Sequence, residues 1–461
     1  MVALKRADDT PKASISYRWL IALIVLIALG VRLSFFFAEQ PWNQSVIENR
    51  ILQQQRDAYW YDAQATRLAE TRDFSQFDDS THERLRCPGY QMFIAIFYSI
   101  FGRTIWIVLI AQVFISAVTV LVVYGIVRQL TPLLSAKYIA AILYSICLLS
   151  AYYSTKLLTE TLFTFLFSCV FLVLIIAFKK GTPINFMLAA VLLGLATLVR
   201  PISLYYPIVI GATLMFQKER FCVRVRNFGL FLIIFLAIIS TWQMRNYRAY
   251  GYYSLTNQPG DDMWRMQASI LKASIDDISQ KQAQDELIGN ALAGVENPFE
   301  RANISKKIGI DYIKMHMRQW ARQNINSTLH RILGTGSKNI YDSLFGGNDV
   351  SRAQESAKEV ERHIQRYGHE DMKYVILNIY LRIIIIIELL FAMIACVILI
   401  VKKQMMYFVF FGCTLIYFIA TPGLMVTARY KVPIMPMLIV LSAVGISYII
   451  QMVRGKQLSG G

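Results

Sequence analysis

The sequence has few charged residues for its length. Of its 461 residues, 17% are charged and 56% are hydrophobic. Because the apolar residues are gathered in long runs, this composition excludes an ordinary soluble protein and predicts a polytopic membrane protein. The net charge of +17 does not indicate a nucleic-acid partner, since most of the excess lies in short segments between apolar runs.

Cysteine and recognisable metal-binding patterns are scarce as well. Four of the six cysteines lie in apolar runs and only Cys87 is expected on the outer side, which excludes a disulfide there. The sequence contains no Cys-x-x-Cys and no Asp-x-Asp, and its five histidines show no ligand spacing. The adjacent acids Asp78-Asp79 and Asp261-Asp262 do not form such a pattern. We therefore expect no cofactor, with a divalent metal as the less favoured alternative.

About ten apolar segments are long enough to cross a bilayer as helices. We place them at 17–38, 104–127, 133–151, 159–178, 183–199, 202–216, 227–243, 375–401, 405–424 and 432–452. The fold class expected from this pattern is an all-α polytopic membrane protein with about ten transmembrane helices, juxtamembrane helices on the outer face and a mainly helical outer loop domain.

The basic residues that flank these segments predict the orientation. If the N-terminus is cytoplasmic, the cytoplasmic flanks hold many cations and few acids, as the positive-inside rule requires. These cations are Lys5, Arg6, Lys12, Arg18, Arg128, Lys137, Lys179, Lys180, Lys218, Arg220, Arg224, Arg226, Lys402, Lys403, Arg454 and Lys456. We expect both termini inside, and the first apolar run, which no small-residue cleavage site follows, as a retained anchor.

The predicted organisation has seven parts. They are a cytoplasmic N-terminus (1–16), the first transmembrane helix (17–38), a first outer loop (39–103), six transmembrane helices (104–243), a large outer loop domain (244–374), three transmembrane helices (375–452) and a cytoplasmic C-terminus (453–461). Within the first outer loop, the apolar stretch between Pro88 and Gly102 is too short for a full crossing. It predicts a helix at the outer interface.

The first outer loop also carries the first candidate catalytic residues. Asp57 and Asp62 lie five residues apart, beside the aromatic residues Tyr59 to Tyr61. Partial burial with hydroxyl neighbours suits a carboxylate that acts as a general base. The alternative is an interfacial helix whose aromatic residues lie at headgroup depth, with Asp57 paired to Arg56 or Arg86.

Other charged residues are expected at the same membrane surface. Glu160 lies at the outer mouth of the fourth span, where an acid is either functional or simply favoured by the helix dipole. Four arginines end up on the outer side, against the positive-inside rule. They are Arg86, Arg200, Arg245 and Arg429. If they converge, their guanidinium groups make an anion site suited to phosphate, and the alternative for each is a snorkelling cation.

Several short segments resemble the GT-C superfamily of integral-membrane glycosyltransferases, in the branch of bacterial lipid A aminoarabinose transferases and protein O-mannosyltransferases. They occur in family order on one topology over most of the chain outside the large outer loop. The segments include Asp57-Ala-Tyr-Trp-Tyr61, Arg86-Cys-Pro-Gly-Tyr90, Leu-Leu-Thr-Glu160, Leu-Val-Arg200-Pro201, Trp242-Gln-Met-Arg245 and Ala-Arg429-Tyr430.

The resemblance implies a function and a set of roles. Such enzymes transfer a monosaccharide, with inversion, from a polyprenyl-phosphate carrier to a hydroxyl of a lipid, glycan or protein acceptor outside the cytoplasm. Asp57 matches the family's base, since Tyr61 follows it by four residues. Asp62 is the second choice, and Glu160 matches an acid that orients the acceptor or the base.

The same resemblance implies the remaining site residues and the location. The donor phosphate would be held by Arg200 first and then by Arg86, Arg245 and Arg429, with Tyr61 and Tyr90 beside them. The protein would lie in the bacterial cytoplasmic membrane, with its site facing the periplasm. Three alternatives stay open: an O-antigen-type polymerase or ligase that uses diphosphate-linked glycans, a transporter, and a non-catalytic membrane scaffold. A transporter would place its charges near the midplane and often has internal repeats, neither of which the sequence indicates.

Overall fold

The computed structural model describes residues 13–47, 56–74, 85–345 and 372–458, which contain helices and no β-strand. We number the longer α-helices α1 to α18. They are α1 Ala13–Glu39, α2 Arg56–Thr71, α3 Gly89–Phe101, α4 Ile105–Leu130, α5 Leu134–Ser145, α6 Leu148–Ser154, α7 Glu160–Lys180, α8 Pro183–Val199, α9 Pro207–Leu214, α10 Phe221–Tyr250, α11 Ser269–Asp276, α12 Gln280–Ile288, α13 Pro298–Met315, α14 Met317–Leu333, α15 Ser337–Phe345, α16 Met372–Val401, α17 Met405–Ala420 and α18 Met435–Leu458. A 3₁₀ helix, Ala428–Ile434, leads into α18.

Six helical segments in the described ranges are long and apolar enough to cross a membrane. They are Trp19–Glu39, Ile105–Leu130, Glu160–Lys180, Phe221–Tyr250, Met372–Val401 and Ala428–Arg454, and the bent pair α5 and α6 would make a seventh. Shorter apolar helices occupy the remaining predicted segments. The all-α, multi-pass architecture is thus confirmed, whereas the number of ten crossings stays a prediction.

The predicted span at 133–151 is a broken helix and not a single one. α5 ends at Ser145, α6 begins at Leu148, and the two are bent by 50°. The buried side chain of Arg32, on α1, stabilises the break: its guanidinium donates to the carbonyl oxygens of Tyr144 at 3.0 Å and Ser145 at 2.6 Å. The Tyr144 carbonyl also accepts from the Cys147 N–H at 3.3 Å, so Arg32 adds hydrogen bonds to carbonyls at the point where the helix is interrupted.

The helix predicted between Pro88 and Gly102 is present as α3, and its position at the outer interface stays a prediction. It starts after Pro88 and ends at Gly102, whose φ of 70° lies in the region that glycine favours. Its first residue, Gly89, touches the end of α8 so closely that an added Cβ would lie 2.8 Å from the carbonyl group of Leu198. This close approach brings the segment that carries Arg86 next to the end of α8.

The described part of 244–374, predicted to be the large outer loop domain and called by that name below, is helical and has a small core of its own. The core consists of Ala268, Leu271, Ile313 and Leu424. Leu424 belongs to the turn between α17 and the 3₁₀ helix, so the last outer turn is packed into the outer loop domain. Residues 346–371 lie outside the described ranges.

Candidate active site

Asp57 lies in the first turn of α2 and forms ion pairs with two arginines. Arg86 Nη2 donates to its Oδ1 at 2.7 Å, and Arg429 Nη1 donates to its Oδ2 at 2.8 Å. The pairing with Arg86 is the one that the alternative interpretation of Asp57 expected. The contact with Arg429 goes further, because it joins two segments 372 residues apart in the chain.

Glu160 is the first residue of α7 and also binds two arginines. Arg200 Nη1 donates to its Oε1 at 2.6 Å, and Arg429 donates from Nε to Oε1 and from Nη2 to Oε2, the latter at 3.5 Å. α7 begins and α8 ends at the same end of the bundle, so the two helices deliver Glu160 and Arg200 side by side. Three of the four predicted arginines therefore converge, together with both acids.

These five residues form one ion-pair network, which we call the charged cluster: Asp57, Arg86, Glu160, Arg200 and Arg429. Arg429 is its centre, since it binds both carboxylates. The charged cluster has three guanidinium groups and two carboxylates, which leaves one uncompensated positive charge. A cluster with that balance favours binding of an anion.

The two carboxylates of the charged cluster differ in access. The side chain of Asp57 is 30% exposed, whereas that of Glu160 is fully buried. Arg429 is 23% exposed, so the opening of the cluster lies where Asp57 meets Arg429. Solvent therefore reaches Asp57, whereas Glu160 is enclosed and holds Arg200 and Arg429 on the buried side of the cluster.

The charged cluster also sets the protonation of Asp57. Burial on its own would raise the pKa of this carboxyl, but Arg86 and then Arg429 outweigh burial and hold the pKa well below its usual range. The pKa of Arg86 is raised by Tyr61 and Asp57 in spite of burial. Asp57 is thus ionised at neutral pH and, while both arginines bind it, a weak base.

The two predicted tyrosines have different positions. Tyr61 lies one helical turn after Asp57 on the same face of α2, accepts a hydrogen bond from Arg86 Nη1 at 3.3 Å, and packs against that guanidinium at 4.9 Å from the ring centre. Tyr90 packs edge-on against Tyr61 with 4.8 Å between ring centres and donates to Gln112 at 2.6 Å. Tyr90 therefore supports Tyr61 and does not bind the cluster through its hydroxyl.

Two predicted site residues are engaged elsewhere. Asp62 is buried and binds Arg103 Nη2 and the Tyr98 hydroxyl, each at 2.6 Å. A turn of 100° per residue puts Asp62 about 140° around α2 from Asp57, which explains why it points to other partners. The guanidinium of Arg245 packs on Trp242 at 5.0 Å and donates to the Phe74 carbonyl. The structure brings neither Asp62 nor Arg245 into the charged cluster.

One buried ion pair close to the site was missed from the sequence. Lys156 Nζ donates to Glu39 at 2.5 Å, and Ser343 donates to the same carboxylate. The backbone carbonyl of Lys156 accepts from Gln112 at 2.7 Å, and Gln112 in turn binds Tyr90. The signal for this pair in the sequence is Glu39, an acid at the end of the first span, since ionisable residues at membrane depth are usually paired or functional.

Cys87, beside Arg86, is a buried thiol. Burial raises its pKa to about 12, so it is protonated and unreactive in this setting. Among the described residues, no group of three or more His, Cys, Asp or Glu side chains could hold a metal ion. The expectation of a reaction without metal stays a prediction.

Comparison with protein families and solved structures gives consistent results. Residues 86–244, less than half of the chain, match the family described as dolichyl-phosphate-mannose-protein mannosyltransferase. This range contains Arg86, Glu160 and Arg200. No curated protein matches the sequence significantly.

Solved structures of an oligosaccharyltransferase from Archaeoglobus fulgidus share the fold. The form with zinc and sulfate has 13% identity and a TM-score of 0.54, covering 94% of this chain and 49% of its own. The AglB form with an inhibitory peptide and a dolichol-phosphate has 14% identity and a TM-score of 0.53, covering 96% of this chain and 52% of its own. The chain thus spans about half the length of these enzymes. The resemblance to the GT-C superfamily is confirmed, and the chain has the GT-C fold.

Proposed function

We propose that this protein is an inverting glycosyltransferase that moves a monosaccharide from a polyprenyl-phosphate carrier to a hydroxyl group of an acceptor outside the cytoplasm. The observation that carries the proposal is the opening of the charged cluster. There, one accessible carboxylate, that of Asp57, lies between the guanidinium groups of Arg86 and Arg429. A carboxylate that can take the proton of the acceptor hydroxyl is thus adjacent to guanidinium groups that can bind the donor phosphate, as a single displacement requires.

The charge balance of the cluster favours a phosphodiester. A sugar linked through one phosphate to a polyprenyl chain carries one negative charge, which matches the single uncompensated positive charge of the cluster. When the sugar leaves, the phosphate gains a second negative charge. Arginines already held in place by Glu160 would stabilise that added charge more strongly than the charge of the donor, which lowers the barrier.

The reaction follows from these positions. The acceptor oxygen attacks the anomeric carbon of the sugar, on the face opposite the phosphate, and its proton passes to Asp57. The bond between the anomeric carbon and the phosphate oxygen breaks, and its electron pair stays on polyprenyl phosphate. A positioned base of this kind contributes roughly 10²–10⁴-fold to the rate.

Donor binding would also activate Asp57. In the free protein, Arg86 and Arg429 hold its pKa low. A phosphate that binds these arginines would compete for the same N–H groups and weaken their contacts with Asp57. The carboxylate then becomes a stronger base only when the donor is present, which limits proton transfer without a donor.

The other residues of the cluster have supporting roles. Glu160 aligns Arg200 and Arg429, so we assign it a positioning function in place of the expected role of orienting the acceptor or the base. Tyr61 stacks on Arg86, and Tyr90 holds Tyr61. Asp62 and Arg245 have no part in this mechanism.

The comparisons support the class of donor, and the distribution of cations supports the outer position of the site. The related archaeal structure is a complex with a dolichol-phosphate and an inhibitory peptide, which agrees with a lipid-phosphate carrier and leaves lipid, glycan and protein acceptors open. Cations concentrated on the flanks opposite the charged cluster favour a site on the outer face. We place the protein in a bacterial cytoplasmic membrane with both termini inside.

The experiment that tests this function compares cell-envelope glycans by mass with and without the protein. It is followed by transfer from the matching polyprenyl-phosphate sugar by purified protein in nanodiscs. We expect release of polyprenyl phosphate and a product with inverted anomeric configuration. Turnover only with a diphosphate-linked donor would favour the polymerase or ligase, and transport without release of polyprenyl phosphate would favour a transporter.

A further inference from the structure

A buried arginine of the outer loop domain binds the turn that leads to Arg429. Arg331, near the end of α14, is 3% exposed. Its Nε donates to the Met425 carbonyl at 3.1 Å, and its two terminal nitrogens donate to the carbonyls of Ile419 and Gly423. One guanidinium thus holds the last turn of α17, at Ile419, and two points of the turn that links α17 to the 3₁₀ helix.

Hydrogen bonds also run in the opposite direction, from the 3₁₀ helix to the end of α14. Lys431, from the 3₁₀ helix, donates to the carbonyls of Gly334 at 2.6 Å and Ile332 at 3.2 Å, immediately after Arg331 in the chain. The two segments therefore each supply a cation to the backbone of the other. Since Lys431 is itself buried, neither cation has the freedom of a surface side chain.

Gln267 adds a third connection from the outer loop domain. Its side chain donates to the Pro422 carbonyl at 3.1 Å and accepts from the Leu424 N–H at 2.9 Å. The space is closed, because a Cβ added to Gly423 would lie 2.2 Å from Gln267 Oε1, and Gly423 has a φ of 58°. The turn thus has little room for another conformation.

This fixed turn ends at Arg429. Thr427 accepts the Arg429 N–H with its hydroxyl at 3.3 Å and starts the 3₁₀ helix. Arg429 then reaches Asp57 and Glu160. The path from Arg331 to the charged cluster is therefore a short run of backbone whose carbonyls are held at Ile419, Gly423 and Met425.

From this geometry we infer that Arg331 is a positioning residue of the proposed reaction: it sets the place of the Arg429 guanidinium through the backbone of residues 419–427. The inference rests on the proposed function, in which Arg429 binds the donor phosphate. It also gives the outer loop domain a direct connection to the phosphate site, since α14 belongs to that domain.

The test uses full-length protein in nanodiscs and polyprenyl phosphate as the probe. We compare its affinity for wild type, Arg331→Ala, Arg429→Gln and the double variant. Arg429→Gln should weaken binding about 10–100-fold, the usual loss for a hydrogen bond to a charged group. Arg331→Ala should cost about 10-fold, and the double variant should bind no more weakly than Arg429→Gln alone. Additive losses would overturn the inference.

Two further variants separate positioning from general damage. Arg331→Lys keeps the charge but cannot form all three hydrogen bonds of the guanidinium. Its affinity for polyprenyl phosphate should therefore lie between those of wild type and Arg331→Ala. Arg322→Ala removes an exposed arginine of the same helix and should leave the affinity unchanged. Should Arg331→Ala fail to fold, Arg331→Lys in the same cycle with Arg429→Gln decides the matter.

A second measurement does not depend on the function. Amide hydrogen exchange in residues 419–431 should be faster in Arg331→Ala than in wild type or Arg322→Ala. If wild type does not bind polyprenyl phosphate, the proposed function fails, and the exchange result still tests whether Arg331 fixes the turn. Unchanged exchange there would overturn the inference whatever the binding data say.

Discussion

The two aspartates of α2 have similar chemistry and different surroundings. Asp57 binds arginines from the loop before α3 and from the 3₁₀ helix before α18, and its side chain is 30% exposed. Asp62 binds Arg103 and Tyr98, 41 and 36 residues later in the chain, and its side chain is 4% exposed. Among the described residues it has no partner comparable to Arg429, which lies 372 residues after Asp57. An ion pair alone therefore does not identify a site. Convergence of distant segments together with access to substrate does.

The largest expected effect concerns these two residues directly. Asp57→Asn should lower the rate of sugar transfer by about 10²–10⁴-fold, because the acceptor proton loses its base. Asp62→Asn should keep the rate within a few fold of wild type and lower the apparent Tm, since it weakens the contacts of a buried carboxylate with Arg103 and Tyr98. Initial rates at saturating donor, with thermal unfolding of both variants, check this. A slower Asp62→Asn enzyme beside an active Asp57→Asn enzyme would reverse the assignment.

The next largest effect concerns the arginines. Arg429→Lys should lower kcat by about 10²–10³-fold, because a single ammonium cannot serve the leaving phosphate and both carboxylates. Arg245→Gln should have little effect on kcat, since its guanidinium is bound to Trp242 and a carbonyl away from the cluster. The same transfer assay measures both variants. Equal losses for the two arginines would indicate that Arg245 joins the site.

An effect of similar size, on stability and not on rate, is expected when the buried acid is neutralised. Glu160→Gln leaves Arg200 and Arg429 without their shared carboxylate, and breaking a buried pair typically costs about 3–5 kcal/mol. The control is Lys272→Gln, which removes two ion pairs with partly exposed acids of the outer loop domain, Asp276 and Glu286, and should change stability little. Thermal unfolding in one detergent compares them. An unchanged Tm for Glu160→Gln would argue against its role as a support.

The smallest effect is a shift in pH dependence. Arg86 lowers the pKa of Asp57, so in Arg86→Gln the carboxyl should take up its proton at a higher pH. Since the protonated acid cannot act as a base, the acid limb of kcat/KM should move up by about one pH unit or more. Arg103→Gln, which removes a partner of Asp62, should leave the limb in place. A shift in the second variant only would contradict the role of Asp57.

Much of the fold and part of the site could be predicted from the sequence. The apolar runs predicted the helices, and i,i+4 spacing places Asp57 and Tyr61 on one face of α2. The break between Ser145 and Leu148 was not predictable from hydropathy, because it depends on Arg32, a residue of another helix. The sequence placed Arg245 at the same membrane surface as the other arginines. It could not show which helices Arg245 would lie beside, and in the structure it is outside the charged cluster.

Arg331 illustrates the same limit. In the sequence it is one cation among several on an amphipathic helix, and its three carbonyl partners lie about 90 residues later in the chain. Carbonyl groups leave no pattern in a sequence, so contacts to backbone are visible only in the folded chain. The charged cluster was predictable because its partners are ionisable side chains.

The most direct test of the central claim is a cryo-EM structure of the protein in nanodiscs with polyprenyl phosphate bound. The account predicts the phosphate against the guanidinium groups of Arg429, Arg200 and Arg86, with Asp57 released from at least one arginine and facing the opening. A phosphate bound elsewhere, with both arginine contacts of Asp57 intact, would contradict it.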